Sequence, residues 1–260
     1  MLPNPLICGF EVSWYALCQY GGVAVMLLFG CWYYKHGIKE RFLLWCTTLL
    51  FWYIGFLALF GARLVGMLEY FLVKGRFGSI DVLWQYPHYG HFSWCGALLF
   101  IVLFLPPIGK KLLGVSAFWQ YFDFVAICLC MLTVITKQGC LLSGDGCYGV
   151  PTALPWGMHF AYGPVPSLLP VHPTPLYDSM FYFLLLLLLL HINKNKHFQG
   201  QTMLWYFMAS AIFYILLEVI RINPKIWGDI TLPQIIYLIV LGYCGYLYNL
   251  LKSKPSSLSV

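Results

Sequence analysis

The stretch "FDFVAICLCMLTVITKQGCLLSGDGCYGV", residues 122–150, runs from an apolar segment into Lys137, two cysteines, Asp145 and a cluster of glycines. A helix needs about 20 predominantly apolar residues to cross the hydrocarbon core of a bilayer. The polar tail of the stretch therefore falls where such a helix reaches a membrane surface. The rest of the chain has the same character: 61% of its 260 residues are hydrophobic and 9% are charged. A soluble domain of that composition would expose large apolar patches, so the chain reads as an integral membrane protein.

Apolar runs at about 12–34, 42–62, 91–106, 117–137, 175–192, 202–222 and 230–250 predict seven spans. The first has no basic region before it and no small-residue cleavage site after it, so it reads as a retained span. The expected fold is an all-α bundle of seven transmembrane helices in one domain over residues 1–260. A long outer loop is expected at 137–174. With the N-terminus outside, the inner segments carry Lys35, Lys39, Arg41, Lys110, Lys111, Lys194, Lys196, Lys252 and Lys254. Lys and Arg concentrate on the cytoplasmic side, which predicts a cytoplasmic C-terminus. The net charge of +6 is mostly this inner bias, with no sign of nucleic-acid binding.

Of the ten cysteines, Cys18, Cys31, Cys46, Cys128, Cys130 and Cys244 lie inside spans, where a thiol is a small apolar packing group. The "CLC" at 128–130 lacks the CxxC spacing of metal or redox pairs. Cys140 and Cys147 sit near the outer surface, and a disulfide between them is left open. No metal ligand set and no cofactor is read from the sequence.

A charge at membrane depth costs roughly 2.5 to 3.5 kcal/mol on insertion scales, so each one needs a partner or a task. Those found are Arg63, Glu69, His91, Asp123, Lys137, Asp145, His172, Asp178, Glu218 and Arg221, nearly all placed by the expected topology in the outer half of the bundle. Glu218 and Arg221, three apart on one helical face, could simply pair. Together these groups describe an outward polar cavity for an amphiphile with an anionic head group, such as a phospholipid. Arginine suits phosphate through bidentate contacts.

The motifs "SWYAL" at 13–17, "GARL" at 61–64, "HFSWCGALL" at 91–99, "FDFVA" at 122–126, "GCLLSGDGCYGVPT" at 139–152, "HPTPLYD" at 172–178, "LLEVIR" at 216–221 and "LPQI" at 232–235 follow the order and spacing of the prolipoprotein diacylglyceryl transferases. The resemblance covers nearly the whole chain. It implies transfer of a diacylglyceryl group from phosphatidylglycerol to the lipobox cysteine of a secreted precursor, at the bacterial inner membrane and without a cofactor. The partners it implies are a phosphatidylglycerol-like phospholipid and a lipobox-containing precursor. For substrate binding it points to Tyr15, Arg63, Lys137, Ser143, Gly144, Tyr148, His172, Tyr214, Glu218 and Arg221.

Departures from the family pattern fall on reactive positions. The family's histidine aligns with Cys95, its signature arginine with Lys137, and its two asparagines with Cys140 and Ser143. The family's glutamate is matched by Asp145, with one extra residue before Tyr148 and Gly149, and a further arginine aligns with Tyr214. Candidates to move the thiol's proton are Asp145, His91 and Cys95, with Asp145 favoured and His91 as its partner. His172 is expected to fix a loop rather than transfer protons. Two other readings stay open at this point: the same lipid donor with a different acceptor, and a non-catalytic lipid-binding or transport protein.

Overall fold

The computed structural model describes residues 6–7, 10–11, 13–37, 41–74, 93–113, 115–162 and 165–253. A two-residue hairpin, β1 (Leu6–Ile7) with β2 (Phe10–Glu11), precedes α1 (Trp14–Gly37), α2 (Arg41–Lys74), α3 (Trp94–Leu113) and α4 (Val115–Ser143). After α4 come the antiparallel strands β3 (Met158–Phe160) and β4 (Ser167–Val171), then α5 (Thr174–Lys194) and α6 (Gln201–Leu217). A second short hairpin, β5 (Lys225–Trp227) and β6 (Ile230–Thr231), leads into α7 (Leu232–Lys252). Each expected apolar run overlaps one helix. Among the described residues, Phe118–Ser143, Thr174–Lys194 and Leu232–Lys252 are long and apolar enough to cross a membrane.

Two boundaries differ from the sequence reading. α4 continues through Lys137 to Ser143, so the first seven residues expected in the outer loop are helical; Leu141 and Leu142 extend the apolar run past the lysine. α6 stops at Leu217 and residues 218–220 form a turn, so Glu218 and Arg221 do not share a helical face. The chain groups into two compact units. Met1–Lys39, Phe122–Ala209 and Leu216–Ile222 form the first, and Glu40–Tyr121, Ser210–Ile215 and Asn223–Val260 the second.

In the first unit, α4 meets α5 through Gln138, whose side-chain amide donates to Ser179 Oγ at 2.7 Å, while Ser179 Oγ donates to the Val134 carbonyl at 3.2 Å. The leucine-rich α5 sorts by helical period: Asp178, Tyr182, Leu185 and Leu189 are buried, and Phe183, Leu184, Leu187, Leu188 and Leu190 are exposed. Farther down α4, the buried Asp123 takes the amides of Gly200 (2.9 Å) and Met203 (3.0 Å) and the Lys196 ammonium (2.9 Å). These amides open α6 and have no partners within the helix. Asp123 is thus committed to fixing the connection between α5 and α6, about 21 Å along α4 from Lys137 at 1.5 Å per residue.

In the second unit α2 and α3 approach closely at Gly61 and Gly96. A side-chain carbon on Gly61 would stand 2.6 Å from the Gly96 carbonyl oxygen, and small residues at such crossings let membrane helices pack backbone to backbone. "LPQI" also acquires a structural reason. Thr231 caps α7, accepting the Gln234 amide, while the Gln234 side chain accepts the Thr231 amide at 3.0 Å. Gln234 further donates to the Ile215 carbonyl at 3.3 Å.

Candidate functional site

The site is built around the end of α4. Lys137 projects from its last turns, and its Nζ lies 2.7 Å from Asp178 Oδ2 at the start of α5. Asp178 is fully buried. The two atoms are close enough for an ion pair, yet neither Asp178 oxygen has a well-directed hydrogen bond among the described residues. The distance decides the electrostatics, because charge attraction depends little on angle. Arg221 also lies within electrostatic range of Lys137, so two cations meet near the Asp178 carboxylate.

Past Ser143 the chain reverses through Gly144 and Gly146, with φ of 62° and 89°, a region open to glycine at no steric cost. Asp145 sits between them, and its Oδ1 accepts the Cys147 amide at 3.1 Å, closing the turn. The Cys140 and Cys147 thiols and an Asp145 carboxylate oxygen all lie within 4.8 Å of one another. Both cysteines are free thiols. The Cys147 thiol is held below the ordinary thiol range, first by its hydrogen bond with Cys140 and also by the charge of Lys137, against burial and the Asp145 carboxylate.

The next residues lock this turn to the rest of the unit. Gly149 donates to the His172 carbonyl at 2.8 Å, Val150 to the Ile220 carbonyl at 2.8 Å, and His172 to the Val150 carbonyl at 3.1 Å. Gly149 also bridges to Arg221 and Pro151 to Val171, so three separate pieces of chain are laced by backbone bonds. Gly149 cannot carry a side chain, since a Cβ there would stand 2.5 Å from the Ile220 oxygen. Thr174 Oγ1 donates to the Cys147 carbonyl. Tyr148 stacks on Phe160, ring centroids 5.0 Å apart, and its hydroxyl donates to the Val165 carbonyl at 2.9 Å.

The first unit therefore gathers Tyr15, Lys137, Ser143, Gly144, Asp145, Tyr148, His172, Glu218 and Arg221 from the sequence reading. Tyr15, at the start of α1, is within electrostatic range of Lys137, Cys140, Asp145 and Cys147. Ser143 donates to the Cys140 carbonyl at 3.4 Å. Glu218 is buried, and its carbonyl accepts the Arg221 amide at 3.3 Å. The His172 ring contacts the Tyr177 hydroxyl at 3.3 Å.

Arg63, Cys95 and Tyr214 belong to the second unit. Cys95 is buried with its sulfur 2.8 Å from Ser93 Oγ, and Tyr214 is buried with its ring stacked on Tyr237 at 5.1 Å. His91 lies outside the described residues. The sequence reading missed the convergence of Cys140, Asp145 and Cys147, as well as the Thr174 anchor. It named Asp178 as a deep charge without finding its partner. The spacing of "CLLSGDGC" held the first of these signals, but bringing the thiols together requires the two left-handed glycines.

The sequence model of the prolipoprotein diacylglyceryl transferase family matches residues 5–248, nearly the whole chain. This chain belongs to that family. Among curated relatives, the phosphatidylglycerol–prolipoprotein diacylglyceryl transferase of Clostridium tetani is 31% identical over 42% of this chain and 43% of its own length. The second such transferase of Clostridium perfringens is 33% identical over 51% of this chain and 52% of its own. The enzyme of Listeria welshimeri is 26% identical over 94% and 88% respectively. The chain thus spans about half the length of the first curated relatives it matches.

Proposed function

We propose that this chain moves a diacylglyceryl group from phosphatidylglycerol to the cysteine thiol of a lipoprotein precursor. On this reading it crosses the bacterial inner membrane seven times, N-terminus outside and C-terminus cytoplasmic, with the site on the outer side. The observation that carries the chemistry is the pair of cations, Lys137 and Arg221, beside a glycine turn whose Gly149 bridges to Arg221 through the backbone. The family match supports the reaction class.

The reaction is a displacement. A sulfur–carbon bond forms at the glycerol carbon, the carbon–oxygen bond to phosphate breaks, and glycerol phosphate leaves with the electron pair. Cations aimed at the departing phosphate stabilise the charge it gains. Arg221 brings a planar fork that matches phosphate, and Lys137 brings a point charge with three donors, only part of which Asp178 engages. The thiol must also become a thiolate, the nucleophilic form, and Asp145 is the carboxylate proposed to favour it. His91 and Cys95 stay candidates for the proton transfer, and Arg63 and Tyr214 candidates for substrate binding, as proposals from the sequence.

The test is an assay of the purified full chain in detergent with labelled phosphatidylglycerol and a lipobox peptide. A thioether-modified peptide and free glycerol phosphate are expected. Arg221→Ala should lower the rate on the order of a hundredfold, the cost of removing one transition-state charge donor. If neither product forms while phospholipid still co-purifies, the transferase reading fails and a lipid-binding role replaces it.

A further inference from the structure

We propose that Cys140, Asp145 and Cys147 form a binding site for a thiophilic divalent cation, zinc by chemistry, with its fourth position left to the acceptor thiol. The binding site itself stands on geometry; its part in the reaction rests on the transferase reading above. Three ligand atoms of the right kind converge within 4.8 Å. In a tetrahedral zinc centre with zinc–sulfur bonds of about 2.3 Å, two sulfurs stand roughly 3.8 Å apart, so side-chain rotation closes the set. Two thiolates and one carboxylate select such an ion over magnesium or calcium, which prefer oxygen.

The surroundings hold the ligands in place. Cys140 is fixed by the last turn of α4. Cys147 is fixed by the Asp145 carboxylate on its amide and by Thr174 on its carbonyl. Asp145 accepts the Cys147 amide through Oδ1 and also hydrogen-bonds the Cys147 thiol, a contact that a cation would replace. Cys140 is buried, whereas Asp145 and Cys147 are partly open, so a small ligand has a way in. Three protein ligands with an open fourth position is the pattern of catalytic rather than structural zinc.

Such a site would generate the acceptor thiolate directly. A thiol that coordinates such a cation is deprotonated on binding, its proton passing to solvent. The bound sulfur keeps a lone pair for attack on the glycerol carbon, and the phosphate leaves as described.

Cobalt, which reports thiolate ligation by its charge-transfer absorption, is the probe. Full-length protein purified without air in detergent should take up one cobalt per chain with that absorption. The band should vanish in Cys140→Ser and Cys147→Ser, weaken in Asp145→Asn and persist in Cys244→Ala. A lipobox peptide should shift the band, and its cysteine-to-serine version should not. The proposal is overturned if no thiolate band forms, if it survives the double Cys140→Ser, Cys147→Ser variant, or if anaerobic protein already carries a Cys140–Cys147 disulfide. A peptide-sensitive band without lipid transfer would confirm the site and end the transferase reading. Transfer that persists after chelation and in the double variant would end the cation's role and leave the transferase reading standing.

Discussion

Lys137 carries its charge within the α4 span, where an unpaired ammonium is costly, and Asp178 supplies the opposite charge at 2.7 Å. Removing one partner of a buried pair leaves the other uncompensated, at a cost of about 3–5 kcal/mol, whereas replacing both by apolar groups is often neutral. Lys137→Met should therefore destabilise the protein by that amount, and Lys137→Met with Asp178→Leu should recover most of it. Unfolding in detergent measures both. The double variant should regain stability without regaining transfer, because phosphate binding needs the cation. If transfer returns as well, Lys137 is a structural residue only. At Gly149 the constraint is steric: Gly149→Ala places a carbon 2.5 Å from a backbone oxygen, and the chain around Ile220 and Arg221 must move. Lipid transfer should fall more than stability, since Arg221 is paired to that glycine. A variant with normal transfer would show that the bridge does not position the guanidinium.

Elements are tied together by a few polar side chains in an otherwise apolar chain. Asp123 accepts the Gly200 and Met203 amides, both at the start of α6, where the helix dipole favours a negative charge. Asp123→Ala should leave these donors unsatisfied and cost about 1–3 kcal/mol for each that water does not reach. Hydrogen exchange should accelerate across 196–203 while the turn at 144–148 keeps its protection. Equal acceleration at both would mean that Asp123 supports the whole unit. The start of α5 behaves differently. His172 fixes the loop through its backbone, taking the Gly149 amide and donating to the Val150 carbonyl, and its ring contacts the Tyr177 hydroxyl. His172→Gln should therefore keep most transfer activity, and complete loss would assign the ring a chemical role.

Across the whole molecule, the proposed orientation makes a direct prediction. A reporter that matures only in the cytoplasm should be active when fused after residue 253 and silent when inserted at the exposed Tyr162; the opposite result would invert the topology. What the sequence determined by itself is what composition and order can carry. Long apolar runs cannot be hidden in water, so helices for lipid follow from them, and motif order over nearly the whole chain identified the family. Helix ends were less legible. Leu141 and Leu142 carry α4 beyond Lys137, and the turn at 218–220 ends α6 early, because an end depends on which backbone groups find partners outside the helix. Only the tertiary structure decided which charges meet. Lys137 and Asp178 are 41 positions apart, and no periodicity relates them; the contact exists because Gln138 and Ser179 hold α4 against α5 at that level. The same holds for Cys140, Asp145 and Cys147. Their spacing was visible, but their convergence within 4.8 Å follows from two glycines at positive φ and from a threonine anchor reached across 27 residues.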